Sequence, residues 1–346
     1  MFLHHRLYPE EQHNTLLLAV PIFPCIFLDK PKIMTHRRDF LKTSLLAGSA
    51  VMLQPLAKSD AEPLGRIEIS LAEWSLHRTI RGGKFTHLDF AAKAKEEYGI
   101  STVEYVNGLF GNSHTDFREA GQNPSYLKEM LTRSKDIGVA NHLIMVDEEG
   151  PLASVDEKER LQAVENHKMW IEAAKFLECT TVRVNLHGEG NIDKKKEASI
   201  DSLIRLGEFA GTMDLNIVVE NHGSDSSKGF WLASIMKEVG RHNVGTLPDF
   251  GIFCITQPWG TTQRECEEKY DRYMGIEELL PFAKGVSAKT YDFDANGEQP
   301  HMDYKRLIRL VKHSGFSGYI GVEYEGFNQP EDEGIRNTIT LLKRYL

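Results

Sequence analysis

The chain has 346 residues, 41% of them hydrophobic and 26% charged, an ordinary globular composition that suffices for one large domain. A net charge of −9, with no prominent Lys/Arg run, argues against a nucleic-acid partner, because phosphate binding needs a basic footprint. The four cysteines, Cys25, Cys179, Cys254 and Cys266, have neither zinc-knuckle nor CxxC spacing; buried thiols are the expected state, with a Cys254–Cys266 disulfide as the alternative.

Residues 1–33 match nothing downstream and read as an upstream start-site extension. From Met34 the chain reads as a signal peptide: Arg37-Arg38, then Phe40-Leu41-Lys42, an apolar run from Leu45 to Leu53, and small residues to about position 61. The adjacent arginines resemble the twin-arginine type, which implies export to the periplasm or cell envelope of a protein already folded. The apolar run is too short to span a bilayer comfortably. Residues 62–346 then form one domain.

Strand one is expected at 67–71, followed by Trp74, and a helix at 86–98 that Gly99 stops. Strand two at 102–106 carries Glu104, and a helix at 124–137 leads to strand three at 139–146. A long helix at 155–177, with Ser154 as its expected N-cap, precedes strand four at 181–186, which ends in Asn185 and His187. A helix at 198–213 leads to strand five at 216–220, whose Ile217-Val218-Val219 run turns abruptly into Glu220-Asn221-His222-Gly223. Further on come a helix at 230–239, strand six at 244–247, a Glu-rich helical region at 264–283 and strand seven at 285–289. A helix at 304–314, strand eight at 319–323 and a closing helix at 331–345 complete the chain. Eight strand–helix alternations in about 280 residues have the size and order of a (β/α)8 TIM barrel in the α/β class. A doubly wound sheet would show a Gly-rich phosphate turn after its first strand, and 71–78 has none.

In such a barrel the C-terminal strand ends build the active site. Strand five ends at Glu220, six at Asp249, seven at Lys289 and eight at Glu323. Three converging carboxylates repel one another, and a divalent cation resolves that repulsion; oxygen ligands favour Mn²⁺, Mg²⁺ or Zn²⁺.

VVENHG, TLPDFG, AKTYDFD and GYIGVEYEG, taken together from Arg66 to Leu346, resemble the xylose isomerase-like sugar isomerase/epimerase family. The resemblance implies metal ligands on strands five to eight, at Glu220, Asp249, Lys289 and Glu323, with Glu220 and Glu323 also acting as the acid/base pair on the sugar. Two positions depart from the family pattern, which has His where Lys289 and Ile252 stand. A protonated Lys has no lone pair for a metal, and His222 is close enough in sequence to Glu220 to supply the missing imidazole. Lys289 reads equally as a substrate-binding cation, a general acid or a salt-bridge partner. Glu104 reads as a substrate contact or as an ion pair with Arg183. Trp74, Asn185, His187 and His222 are candidate substrate contacts, Trp74 alternatively a plug of the barrel mouth, and His142 is expected in the core.

The reading is a metal-dependent isomerase or epimerase of a free sugar, keto-sugar or glycoside, acting by proton transfer beside a carbonyl. The alternatives are a lyase that eliminates the aglycone from oxidised glycosides on the same site, and a non-catalytic sugar-binding barrel. The expected partner is a small carbohydrate, with no nucleic acid and no lasting membrane span; self-association stays open.

Overall fold

The computed structural model describes residues 66–112, 116–257 and 266–346. The expected extension, the signal peptide and Cys25 lie outside them. Eight strands, β1 (Ile67–Ala72), β2 (Thr102–Val106), β3 (Ala140–Met145), β4 (Thr181–Val184), β5 (Asn216–Glu220), β6 (Val244–Leu247), β7 (Val286–Thr290) and β8 (Gly318–Tyr324), pair in parallel in the order β6-β5-β4-β3-β2-β1-β8-β7. The ring closes between β6 and β7 through isolated bridges, Thr246 with Ala283 and Asp249 with Ser287. Here the Phe250 N–H donates to the Ser287 carbonyl at 3.1 Å and the Ser287 N–H to the Pro248 carbonyl at 2.9 Å. The expected TIM barrel is therefore the observed fold.

The helices are α1 (His77–Arg81), α2 (Phe90–Tyr98), α3 (Phe117–Gln122), α4 (Pro124–Asp136), α5 (Glu157–Phe176), α6 (Ile192–Gly211), α7 (Gly229–Val239), α8 (Arg272–Leu279), α9 (Tyr304–His313) and α10 (Glu331–Tyr345). Helix α2 ends where Gly99 takes φ 70°, a left-handed conformation that costs a side chain strain and glycine nothing. In α9 the 3.6 period puts Leu307, Ile308 and Val311 in the core. Fully burying such a side chain contributes about 1.5–3 kcal/mol. Among the described residues no helix is long and apolar enough to cross a membrane.

The strand period of two sorts each strand into faces. On β8, Ile320, Val322 and Tyr324 are fully buried apolar residues. Tyr324 packs on α10, where a Cβ at Gly334 would lie 2.3 Å from its ring. Gly321, Glu323 and, just past the strand, Glu325 alternate with them toward the barrel interior.

Five local expectations change. Helix α6 begins at Ile192 rather than 198, because Asn191 caps it by accepting from the Asp193 N–H at 2.9 Å. Helix α5 is capped by Asp156, which accepts from the Glu159 N–H at 2.9 Å; Ser154 instead donates to the Glu159 carboxylate at 2.5 Å. The expected 86–98 helix opens with a 3₁₀ turn, His87–Asp89. In the Glu-rich 264–283 region only α8 and a short 3₁₀ turn are helical among the described residues. Residues 268–270 run antiparallel to 253–255 instead, with Ile255 N–H to Glu268 O and Tyr270 N–H to Phe253 O both at 2.9 Å. Cys254 and Cys266 form a disulfide across this ribbon, so among the described residues the expected free thiol is found at Cys179 alone, which is buried.

Candidate active site at the C-terminal strand ends

Glu220, Asp249 and Glu323 converge as their strand positions required: one carboxylate oxygen from each lies within 4.8 Å of the others, and all three residues are buried. Asp249 is fixed before any ligand arrives. Its Oδ1 accepts from the Gly251 and Ile252 N–H groups at 2.7 and 2.8 Å, and its own N–H donates to Asn221 Oδ1 at 2.8 Å. Asn221 in turn donates to the Asp249 and Ile252 carbonyls, so the residue after Glu220 ties the β5 and β6 ends together. Ser287, two positions before Lys289 on the inner face of β7, donates to Asp249 Oδ2 at 2.6 Å and shares its hydroxyl with Glu323 Oε2 at 2.8 Å.

Two cations compensate this acidity. Lys289, 1% exposed, has its Nζ 3.0 Å from Glu323, 3.3 Å from Glu325 and 4.0 Å from Asp249. Arg183, 3% exposed, reaches Glu220 at 2.9 Å with Nε and Asp147 at 2.6 Å with Nη1. Of the alternatives for Lys289, the salt-bridge partner is the one visible in the geometry. The electrostatics separate the two glutamates. Burial drives the Glu220 carboxyl well above its ordinary value, against the pull of Arg183. Burial also raises Glu323, but Lys289, Ser287 and Arg183 outweigh it and hold the carboxyl below the usual range. Asp249 is pushed up to about 6, chiefly by burial. Burial works against the Lys289 ammonium, yet the surrounding carboxylates raise it well above a normal lysine, so it stays charged.

A divalent ion suits this donor set. Asp147, Glu220, Asp249, Glu323 and Glu325 gather around Arg183 and Lys289, and Glu220 Oε1 is buried with no hydrogen-bond partner among the described residues. The three clustered carboxylates form the acidic site; His222 is not part of the cluster. Instead His222 lines the cavity above it, held neutral by burial and by Arg183, which push its pKa down to about 3.

That cavity, about 410 Å³, is lined by Trp74, Asp147, Glu148, Arg183, His222, Glu323 and Glu325. Trp74 stands at its edge, stacked on His77 at 4.4 Å with the indole N–H donating to Glu325. Asn185 is one step back, donating to Asp147 at 2.7 Å. His187 lies further along the same loop, its carbonyl accepting from the Ala153 N–H at 3.0 Å. Glu104 lies beneath, 2% exposed, and accepts from Ser70 at 2.5 Å; its expected partner Arg183 is taken by Glu220 and Asp147. Gly321 on β8 makes room for it, since a Cβ there would sit 2.8 Å from both Glu104 oxygens. His142 is a core residue, accepting from or donating to Thr180 at 2.9 Å.

The sequence reading missed Asp147, Glu148, Glu325 and Ser287, and assigned Arg183 elsewhere. Glu325 and Ser287 carry the strand period from Glu323 and Lys289, and Arg183 interrupts the apolar TVRV of β4; those signals were available.

Burial pushes the Glu104 carboxyl up to about 7, above its ordinary value of 4.5. A carboxyl whose folded pKa is raised supplies stability at low pH that is lost as pH climbs through the folded value. Wild type is therefore expected to lose about 3 kcal/mol from this group between about pH 4.5 and 7. Glu104→Gln should flatten that part of the profile, matching wild type near pH 4.5 and exceeding it above pH 7 in urea unfolding. Parallel profiles for both proteins would refute the assignment.

An eight-stranded parallel barrel with its carboxylates and cations gathered at the C-terminal rim defines the structural class. Residues 91–345 match the family model described as xylose isomerase-like TIM barrel, and the chain belongs to that family. Its fold is shared with a D-psicose 3-epimerase solved with D-fructose (TM-score 0.58, 12% identity, 81% of this chain and 99% of that one). It is also shared with a 3-keto-D-glucoside 4-epimerase from E. coli (TM-score 0.55, 14% identity, 81% and 99%). A zinc-bound IOLI protein superimposes with TM-score 0.61 at 15% identity, over 81% of this chain and 99% of that one. Among curated proteins, a C-glycoside deglycosidase alpha subunit of Arthrobacter globiformis is 37% identical over 67 residues, 19% of each chain. A 3'-dehydrocarminate deglycosidase alpha subunit of Microbacterium sp is 36% identical over 50 residues, 14% of each chain. These matches span less than a fifth of the curated relatives' lengths.

Proposed function

We propose that this barrel is an isomerase or epimerase of a keto-sugar or glycoside that moves a proton at the carbon beside a carbonyl. The observation that carries the reading is the convergence of Glu220, Asp249 and Glu323 within 4.8 Å, next to a cavity that Glu323 itself lines. Glu220, Asp249 and Glu323 would hold one divalent ion, Mn²⁺, Mg²⁺ or Zn²⁺, which when bound supplies Lewis-acid polarisation of the carbonyl. Glu323, held ionised, takes the C–H proton, and the electron pair moves onto the carbonyl oxygen. Lys289 and Arg183 offset the negative charge that develops. The other carboxylate, Glu220, or Lys289 returns a proton to carbon.

A second reading is favoured by the curated relatives, named as deglycosidase subunits. The same enolate can expel a group from the neighbouring carbon; the bond to the aglycone breaks, the carbonyl re-forms into an unsaturated ketone, and the leaving oxygen or carbon takes a proton. Running the reaction in D₂O on a panel of free ketoses and 3-keto-glucosides tests both. Deuterium should enter the carbon beside the carbonyl, in product or recovered substrate. Turnover without label at that carbon would defeat proton abstraction with solvent exchange, and release of aglycone would select the lyase.

We also propose export. The Arg37-Arg38 segment motivates it, and the Cys254–Cys266 disulfide supports an oxidising compartment. Mass spectrometry of the native envelope fraction should find an N-terminus between Ala57 and Glu62. Cytoplasmic protein still carrying residues 34–56 would end the idea.

A further inference from the structure

Two consecutive carboxylates, Asp147 and Glu148, line the cavity above the acidic cluster, and the proton transfer uses neither. Successive residues of an extended chain point to opposite faces. Both line one cavity here because the backbone turns between them: Glu148 has φ 60°, in the left-handed region that side chains rarely adopt. Three other non-glycine residues share that sign among the described residues. Glu178 and Asp214 lie just past α5 and α6, where a left-handed residue commonly closes a helix, and Ser224 opens the 3₁₀ turn after β5. Glu148 instead follows the end of β3 with no helix to close. The strain persists because the chain is held on both sides of it. Asn107, just past β2, accepts from the Asp147 N–H and donates to the Asp147 carbonyl, both at 2.9 Å. Arg118 donates to the Glu148 carbonyl at 2.7 Å and to the Glu149 carboxylate at 3.0 Å. Glu149, 1% exposed, also accepts from the Trp170 indole at 2.8 Å. A conformation over-determined in this way at the rim of a site points to a role for the side chain it aims.

Asp147 is fixed as firmly and left as open. Its Oδ1 takes both side-chain partners, Arg183 Nη1 at 2.6 Å and Asn185 Nδ2 at 2.7 Å, which leaves Oδ2 to the cavity. The Glu148 carboxylate makes no hydrogen bond or ion pair among the described residues; only its backbone carbonyl is tied down. Ionised carboxylates are acceptors without a donor, so this edge meets hydroxyl or other N–H and O–H groups. Glu323 and Glu325 line the same cavity, and its guanidinium, Arg183, is already engaged by Asp147 and Glu220. Arg81 brings one more cation to the Trp74 side, 4.8 Å over the indole ring. The balance is acidic and opposes a phosphate or carboxylate on the ligand. In the ring of eight, β3 stands four strands from β7 in either direction, so its loop lies across the barrel mouth from Lys289.

Resting on the proton-transfer reading above, we infer that Asp147 and Glu148 are the specificity-determining residues of the site: they accept from hydroxyls of the sugar across the cavity from Lys289, and they select uncharged sugars over phosphorylated or acidic ones. Asp147 is the rigid acceptor, set by Arg183 and Asn185. Glu148 is the adaptable one, on a rigid backbone with a free carboxylate.

Binding tests this without turnover. Ligand-observed NMR on the full-length protein with Mg²⁺ compares D-fructose, methyl β-glucoside and methyl β-galactoside with fructose 6-phosphate, methyl β-glucuronide and methyl β-galacturonide. At least one neutral sugar should bind about tenfold more tightly than its acidic counterpart. Glu148→Gly should melt at or above wild type, because glycine takes φ 60° without strain, yet bind that neutral sugar about tenfold more weakly. Glu148→Gln keeps an acceptor without the charge, so it should recover part of that affinity while losing the discrimination against the acidic sugar. A residue that only shaped the loop would not separate stability from affinity in this way. The inference is overturned if wild type binds no neutral sugar, or binds every acidic sugar within about threefold of its neutral counterpart. It is equally overturned if Glu148→Gly binds like wild type or melts below it. The expected selectivity with no deuterium entering any keto-sugar would sink the proton-transfer reading and leave the two residues their role. Deuterium exchange whose KM is the same in Glu148→Gly and wild type would do the reverse.

Discussion

Glu323→Gln should bring turnover close to zero. Its carboxylate is the one held ionised in the cluster, by Lys289 at 3.0 Å and Ser287 at 2.8 Å, and it faces the cavity directly. An amide keeps the shape and can still accept from Ser287, but it cannot take a proton from carbon. Loss of a general base costs about 10²–10⁴ in rate. Glu220→Gln should lower the rate comparably by removing the second carboxylate, and should also loosen the ion, since Glu220 Oε1 is a buried oxygen without a hydrogen-bond partner among the described residues. Arg183 keeps Asp147 at 2.6 Å in that variant, so the barrel should stay folded. The check is kcat on the active keto-sugar alongside a thermal melt. A Glu323→Gln enzyme within tenfold of wild type would remove Glu323 from the chemistry.

Lys289→Met should be the most damaging single change to stability. The ammonium is 1% exposed and sits among Glu323, Glu325 and Asp249 at 3.0, 3.3 and 4.0 Å. Removing one partner of a buried ion pair costs about 3–5 kcal/mol, because the remaining charges stay buried without compensation. In a domain of this size that is a fall of about 10 °C in melting temperature. Divalent cations should then restore part of the loss, by about 2.7 kcal/mol when present at 100 times their Kd, and Asp249→Asn in the same background should weaken that rescue. With metal present, kcat should fall more than KM rises, because the ammonium matters most once the oxyanion has formed. A variant that melts like wild type and gains nothing from Mg²⁺ or Mn²⁺ would show that Lys289 does not balance the cluster.

The disulfide across the loop after β6 shows how a local reading can go astray. Cys254 and Cys266 have a spacing compatible with either state, and the Glu-rich stretch after them has helical composition. The ribbon forms because 253–255 and 268–270 find each other as backbone partners, which composition cannot register. The start of α6 is a similar case: Lys194, Lys195 and Lys196 hide the helix from an apolar-periodicity search, while Asn191 caps it.

The sequence by itself determined the architecture. Alternating β-branched and amphipathic segments leave few ways to bury both faces of a parallel sheet, so eight strands, their order and the convergence of Glu220, Asp249 and Glu323 followed from period and chain order alone. Only the tertiary structure decided which charge answers which. Whether Arg183 pairs with Glu104 or Glu220 depends on the shear between β2, β4 and β5, and on Gly321 leaving Glu104 a space of its own. The opposite pKa directions of Glu220 and Glu323 likewise come from burial and from their distances to Arg183 and Lys289, quantities that no spacing along the chain contains.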